Sequence, residues 1–360
     1  MTFSIGNRIR LSVLGSSHGQ SVDAVLEGLP HGLEIDLENM RRWLDYRKPG
    51  QSELTTQRQE SDDFQILSGI FNGRTDGSPI LISIPNKDTI SKHYDDIRHL
   101  PRPGHADLTM FYKYGESRNY PGGGFFSGRM TAPIVAAGAI CMQILDSMGM
   151  NVVSWHSSIG PVSIEENAHD DDPHYCYRFK TRIPDDEKDR QADSLIREML
   201  HTGNSIGGAI STKISGMPPG VGEPFFDSVE SSIAHMAFSI PGLKGIEFGS
   251  GFRFAEMTGF EAMDEFYLKD GEIRTRSNHN GGILGGISTG MPVTFRVVMK
   301  PTSSVRKEIP TVDIDTMTEA TLKIQGRHDP CISIRAVPVV QTSTAIVMCD
   351  LLSMAGLLRI

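Results

Sequence analysis

Cysteine, tryptophan and net positive charge are all scarce in this chain. Its 360 residues include four cysteines and two tryptophans, and its formal net charge is −9. The cysteines form no CxxC pair and follow no secretory leader, so we expect reduced thiols in a cytoplasmic protein. The negative charge disfavours general binding to nucleic acid or to an anionic membrane, since both need a positive field. Any anionic ligand must therefore be held by local basic clusters.

Long hydrophobic runs and metal-binding patterns are also lacking. The longest apolar stretch, 132–142, is shorter than the ~20 residues that cross a bilayer, so we expect a soluble protein. No His-x3-His or clustered Cys/His spacing occurs, and no metal site is expected. No GxGxxG follows a strand and opens a helix, which disfavours a Rossmann nucleotide site.

Glycine, by contrast, is abundant and bunched. The chain has 37 glycines, with one bunch at 122–124 followed by Gly128 and another between 281 and 290. Bunched glycine marks tight turns, or places where the backbone must come close to something else. The sequence leaves both interpretations open.

Short helical and strand patterns alternate along the chain. Apolar spacing predicts helices over 37–46, 131–148 and 193–201, and strands over 80–84, 209–214, 293–298 and 332–337. The order is not a regular βαβ repeat, so an α+β fold with antiparallel sheets is favoured. The acidic segment 161–193 is expected to be a surface loop or insert.

Three segments are locally basic, and three histidines lie in glycine-bordered loops. The basic segments are 41–58, 98–118 and 296–307, and the histidines are His18, His105 and His328. A histidine near arginines suits proton donation to a leaving phosphate, because it titrates near working pH. Surface decoration and ordinary turn histidines are the plainer interpretations.

Together these residues form an ordered set of motifs that resembles the chorismate synthase family from end to end. The matching segments are GSSHG at 15–19, RKPGQS at 47–52, RPGHAD at 102–107, GGG at 122–124, KGIEFGSGF at 244–252, SNH at 277–279, KPTSS at 300–304 and GRHDPC at 326–331.

The resemblance implies a fold and a reaction. The fold would be a single-domain β-α-β sandwich over 1–360, with two antiparallel sheets around a helical layer, assembled as a homotetramer. The reaction would be the trans-1,4-elimination of phosphate from 5-enolpyruvylshikimate 3-phosphate to give chorismate. It would need reduced FMN, with NADPH as a possible reductant, although no net redox change occurs. The flavin carries the hard chemistry while the protein binds, orients and supplies charge.

The resemblance also implies roles for individual residues. His18 would protonate the leaving phosphate, His105 would stabilise or protonate the reduced flavin, and Asp329 would help to remove the C6 proton. Implied cofactor-binding positions are Ser127, Gly285, Lys300, Pro301, Thr302, Ser303, Ser304 and Arg327. Implied substrate- or NADP-binding positions are Arg47, Arg129 and Arg335.

Several positions depart from the family's usual pattern. Ser16 stands where Glu is common, Tyr46 replaces one residue of an Arg pair, and Glu53 stands where many members carry Arg. Phe125 and Phe126 follow the triple glycine in place of polar residues. These phenylalanines could pack on the flavin's dimethylbenzene edge or simply fill the core. The departures leave a non-catalytic flavin- or anion-binding paralogue of the family as an alternative, and a flavin oxidoreductase that uses the same pocket is a third.

Overall fold

The computed structural model of the chain describes residues 3–50, 54, 61–87, 98–165, 171–324 and 329–358. Its helices are α1 (Leu37–Arg47), α2 (Asp107–Tyr114), α3 (Thr131–Ser147), α4 (Asp186–His201), α5 (Val229–Ala237) and α6 (Ser333–Met354). Its strands are β1 (Ser4–Ile5), β2 (Arg10–Gly15), β3 (Ser21–Glu27), β4 (Gln65–Ser68), β5 (Ile70–Phe71), β6 (Arg74–Thr75), β7 (Ile80–Pro85), β8 (Asn151–Ile159), β9 (Val162–Ser163), β10 (Gly208–Ser215), β11 (Leu243–Phe248), β12 (Phe266–Lys269), β13 (Glu272–Thr275), β14 (Ile283–Leu284), β15 (Ile287–Ser288), β16 (Val293–Met299), β17 (Glu308–Asp313) and β18 (Thr318–Lys323).

Two five-stranded antiparallel sheets enclose the core helices. The first has the order β1-β2-β3-β7-β4 and the second has the order β11-β16-β10-β8-β9. Strand β3 buries every second residue, and in the ladder its buried Ala24 pairs with the buried Ile82 of β7. This period of two gives the first sheet one buried apolar face, whereas in the second sheet strand β8 is buried along most of its length. Helix α3 packs on the first sheet, α6 packs on the second, and the two helices pack on each other.

The resulting order of layers confirms the predicted α+β sandwich of two antiparallel sheets around helices. Gly138 sits where α3 crosses α6, and a Cβ at this position would lie 2.7 Å from Cβ of Thr342. Glycine therefore permits the close approach of the two helices. Two helical segments, Gly128–Ser147 and Ser333–Met354, have the length and composition to cross a membrane, and most of each is buried inside the fold.

Two local predictions were wrong. The strand predicted over 332–337 is the beginning of α6, a 22-residue helix that is buried along almost its whole length. Helix α4 begins at Asp186 rather than at 193, inside the acidic segment expected to be a loop. Asp185 caps this helix, since its side chain accepts hydrogen bonds from the backbone N–H groups of Glu187 and Lys188.

Candidate active site

A loop of three glycines, Gly122 to Gly124, brings two of the predicted histidines together. All three glycines have positive φ, at 63°, 81° and 54°. A Cβ on Gly122 would overlap the ring of His18, and a Cβ on Gly123 would lie 3.4 Å from Cε1 of His105. The two imidazoles therefore pack against neighbouring residues of one loop. Here the glycine bunch serves close approach as well as turning.

The turn between β2 and β3 holds His18 at this loop. The N–H of Ser17 donates to the carbonyl oxygen of Gly124 at 3.1 Å. Asn86 fixes the rest of the turn, because its side-chain amide donates to the carbonyl oxygens of Ser16 (3.0 Å) and Gly19 (2.9 Å). Ser16, where the family commonly has Glu, thus contributes a backbone contact to the turn.

His105 lies in the loop before α2, beside a buried ion pair. Arg102 Nε lies 2.7 Å from Oδ2 of Asp107, and His105 Nδ1 lies 2.7 Å from Oδ1 of the same carboxylate. Burial by itself would raise the pKa of Asp107. The hydrogen bonds and charges of Arg102 and His105 outweigh it, so the pKa of Asp107 is held well below its usual range. The carboxylate is therefore ionised at neutral pH.

The predicted cofactor-binding segment 300–304 packs beside the His105 loop. The Lys300 ammonium and the Ser303 hydroxyl both donate to the carbonyl oxygen of Gly104, the latter at 2.7 Å. Ser304 Oγ accepts a hydrogen bond from Arg102 Nη1 at 3.1 Å. Burial, with a smaller effect of the nearby Lys244, lowers the pKa of Lys300. Segment 300–304 therefore places the Lys300 ammonium at Gly104, the residue before His105.

The remaining cofactor-binding predictions fall in three places. Ser127 lies at the glycine loop, with its Cβ 3.9 Å from where a Cβ of Gly123 would be. Pro301 packs over Gly207, and the carbonyl oxygen of Thr302 accepts a hydrogen bond from Ser205 at 2.7 Å. Gly285 lies in the turn between β14 and β15, and a Cβ on it would meet nothing within 4 Å. Arg327 and His328, like Glu53, lie outside the described residues.

Two of the predicted anion-binding arginines share one buried carboxylate. Arg47 Nη1 lies 2.8 Å from Oδ2 of Asp62, and Arg129 Nη1 is bonded to Oδ1. The Asp62 side chain is fully buried, and each arginine side chain is at most 6% exposed. Burial raises the pKa of Asp62, but the two guanidinium groups lower it more, so its net pKa is below the usual range. Asp62 therefore fixes both guanidinium groups in place.

Asp329 joins the same network through Arg335. Arg335 Nη1 lies 2.8 Å from Oδ2 of Asp329, and its Nε donates to the carbonyl oxygen of Arg47 at 3.0 Å. At the other end, Arg129 Nε donates to the side-chain oxygen of Asn86 at 2.9 Å. A continuous set of polar contacts thus runs from Asp329 to the turn that holds His18.

Two departures from the family pattern have packing partners. Tyr46 stacks on Tyr177 with ring centroids 3.7 Å apart. Phe125 makes edge-on contacts with Phe3 (5.5 Å) and Tyr114 (5.4 Å). Both residues also pack against the main hydrophobic core. For Phe125 these contacts agree with the core-filling interpretation, and Phe126 lies against its ring with the centroids 4.8 Å apart.

Sequence reasoning missed three residues of this region: Asp62, Asn86 and Asp107. Asp107 was within reach, because it follows His105 by two residues and a carboxylate at that distance is able to orient an imidazole. Asp62 and Asn86 carry no comparable signal, since each acts on residues that are distant in the sequence.

The comparisons with known proteins agree on one family. The model of the chorismate synthase family matches residues 9–353. The chain belongs to the chorismate synthase family. It is 44% identical to the chorismate synthase of Korarchaeum cryptofilum, with 96% of each chain covered. It is 41% identical to that of Methanothermobacter thermautotrophicus, covering 99% of this chain and 95% of the relative.

A solved structure supports the same assignment. A crystal structure of chorismate synthase matches with a TM-score of 0.76 and 29% identity, covering 98% of this chain and 93% of that one. The chain is therefore an enzyme of the lyase class that forms chorismate in the shikimate pathway to the aromatic amino acids.

Proposed function

We propose that the elimination of phosphate from 5-enolpyruvylshikimate 3-phosphate takes place beside the triple-glycine loop, with reduced FMN bound there. The single observation that carries this proposal is the packing of His18 and His105 against Gly122 and Gly123. Two imidazoles, which can both donate and accept protons, are thereby placed at one small region. The substrate bears two carboxylates and a phosphate, and three arginines lie in the adjoining network.

The residues around His105 fit FMN. The Lys300 ammonium has further N–H donors beside the one directed to Gly104, and the buried Thr302 hydroxyl has no hydrogen-bond partner among the described residues, so both can serve a phosphate. Gly285 is also open to a close approach. When bound in its reduced form, FMN supplies electron density for breaking the C3–O bond. Ser127, Lys300, Pro301, Thr302, Ser303, Ser304, Gly285 and Arg327 are the residues that we propose to hold it.

The proton chemistry is assigned to three side chains. His18 donates a proton to the departing phosphate oxygen, so that the phosphate leaves with one negative charge fewer. His105 holds a proton toward the anionic edge of the bound flavin. Asp329 helps to remove the C6 proton, and its ion pair with Arg335 orients the Asp329 carboxylate.

The substrate's anionic groups are assigned to Arg47, Arg129 and Arg335. Arg47 and Arg129 are fixed by Asp62, so little side-chain entropy is lost when they bind an anion. NADPH is the reductant that we assign to FMN, acting either at this site or through a separate reductase. Anaerobic assays with NADPH alone, and with an added reductase, distinguish these two routes.

We propose a cytoplasmic homotetramer. All four cysteines are free and buried, which fits a reducing compartment. Large apolar side chains stand exposed on the surface, among them Phe225 at 85%, Phe226 at 91% and Phe252 at 82%. Exposed aromatic groups of this kind mark protein interfaces, and second copies of the chain are the partners that we assign to them.

An anaerobic assay tests the proposal. Purified protein, reduced FMN and 5-enolpyruvylshikimate 3-phosphate are mixed, and chorismate is followed by its absorbance. We expect turnover with no net consumption of reductant. His105→Ala should lower kcat strongly and change the midpoint of thermal unfolding little, because the proposed role of His105 is proton transfer rather than packing. Absence of chorismate at saturating substrate, or reductant consumed in step with product, would refute the assignment.

A further inference from the structure

Among the described residues, the Asp107 carboxylate contacts three N–H donors of Arg102 and one ring nitrogen of His105. Its Oδ2 accepts from Arg102 Nε at 2.7 Å and from the Arg102 backbone N–H at 3.1 Å. Its Oδ1 accepts from Arg102 Nη2 at 2.9 Å and faces His105 Nδ1 at 2.7 Å. An ionised carboxylate has no proton to give. The contact with His105 is therefore a hydrogen bond only when Nδ1 carries the proton.

Arg102 contacts His105 from a different direction. Its Nη2 lies 3.0 Å from Nδ1 and 3.2 Å from Nε2 of the ring. An atom in the plane of the ring at these two distances would collide with Cε1, so Nη2 lies over the face of the imidazole. Arg102 therefore does not occupy the in-plane hydrogen-bonding direction of either ring nitrogen. Asp107 is the in-plane partner of Nδ1.

The opposite edge of the imidazole is turned to the glycine loop. The Cε1 and Nε2 atoms lie 3.4 and 3.7 Å from the position that a Cβ of Gly123 would occupy. Other charged or titratable groups near this ring are Lys300, bonded to the carbonyl oxygen of Gly104, and His18 on the same glycine loop. Neither contact gives Nδ1 a second acceptor.

We propose that Asp107 is a positioning residue that keeps a proton on Nδ1 of His105 and so reserves Nε2 for proton exchange with the bound ligand. The proposal rests on the proposed function, because it names the nitrogen through which His105 acts there. When Nε2 takes up a proton, the imidazolium is balanced by the Asp107 carboxylate, and when Nε2 gives the proton up, the neutral Nδ1–H form returns. Asp107 itself neither gains nor loses a proton.

The tautomer can be read directly, in the protein without ligand. Protein carrying ¹³C- and ¹⁵N-labelled histidine is studied at a pH where its imidazoles are neutral, and the His105 signals are those missing from His105→Ala. The Cδ2 and ring-nitrogen chemical shifts distinguish the two tautomers. We expect His105 in the Nδ1–H form. Observing mainly the Nε2–H form in the unsubstituted protein would overturn the proposal, whether or not the enzyme makes chorismate.

Asp107→Asn supplies the second test. In asparagine, one of the two carboxylate oxygens is replaced by an N–H₂ group, which then faces a donor. Arg102 has no acceptor to offer it, whereas His105 can become an acceptor by losing the proton on Nδ1. We therefore expect the major His105 tautomer to change to Nε2–H. Ser304→Ala is the matched control, since it removes a partner of Arg102 but no contact of His105. An unchanged tautomer in folded Asp107→Asn would contradict the proposal, as would a change in Ser304→Ala.

Discussion

Gly122→Ala is expected to displace His18 and to abolish most of the activity. The new Cβ would lie 2.7 Å from Ser17 Oγ and closer still to the His18 ring, whereas ordinary contacts begin near 3.4 Å. The imidazole must therefore move by roughly 1 Å, and a displacement of that size costs about 100-fold in rate. The substitution also places alanine at φ 63°, a left-handed conformation that costs roughly 1–2 kcal/mol. Stability thus falls as well.

Gly149→Ala separates the two effects. Gly149 has φ 72°, and a Cβ on it would meet nothing within 4 Å. Gly149→Ala should lose only the backbone part of that stability, roughly 1–2 kcal/mol, and keep its kcat, whereas Gly122→Ala should lose more because of the overlap with His18. Steady-state kinetics and denaturant unfolding of both variants give the comparison. If Gly122→Ala retains kcat, or if Gly149→Ala loses it to the same extent, the placement of His18 against the glycine loop is not what sets the rate.

Two further predictions concern stability and assembly. Asp62→Asn should lower the free energy of unfolding by about 3 kcal/mol, because it breaks a buried double ion pair with Arg47 and Arg129. Since folding lowers the pKa of Asp62, its contribution is complete above an unfolded pKa of ~3.9 and is lost as the pH falls below it. Denaturant unfolding should therefore show that the difference in free energy of unfolding between the unsubstituted protein and Asp62→Asn becomes smaller below about pH 4. A difference that stays constant with pH would contradict this. The double variant Phe225→Ser and Phe226→Ser should lower the assembly state in analytical ultracentrifugation, and an unaltered tetramer would exclude these two side chains from the interface.

Some strands of the two sheets were predictable because they are half buried. The pattern in 80–84 and 293–298 alternates, and both segments are central strands of the observed sheets. The helix predictions at 37–46 and 131–148 also agree with α1 and α3 within a residue. In these elements the local pattern and the tertiary environment favour the same conformation.

The first residues of α6 show where this reasoning fails. Residues 332–337 are rich in β-branched and apolar side chains that alternate with polar ones, which is a strand pattern. The same residues start a helix that is buried on all sides, where no polar face marks the period of 3.6. Burial between α3 and the second sheet decides the conformation, and a local window does not contain that information.

The candidate site divides in the same way. The glycine bunch and the two histidines could be found in the sequence because they lie in the motifs GSSHG, RPGHAD and GGG, which resemble those of the chorismate synthase family. The pairing of Arg47 and Arg129 through Asp62 could not, since 15 and 67 residues separate the carboxylate from its partners. Ion pairs between residues so far apart in the sequence depend on the tertiary fold.

Both central helices start at the polar network. Thr131, the first residue of α3, accepts a hydrogen bond from Arg47, and Arg335 lies in the first turn of α6. The residues proposed to bind the substrate are thereby anchored to buried core helices, and we expect such helices to open only on global unfolding. A core substitution that weakens α3 or α6 should then reduce how many molecules are active rather than how fast each one works. Titration of active sites would show this as a lower count of competent enzyme with an unaltered rate per competent molecule.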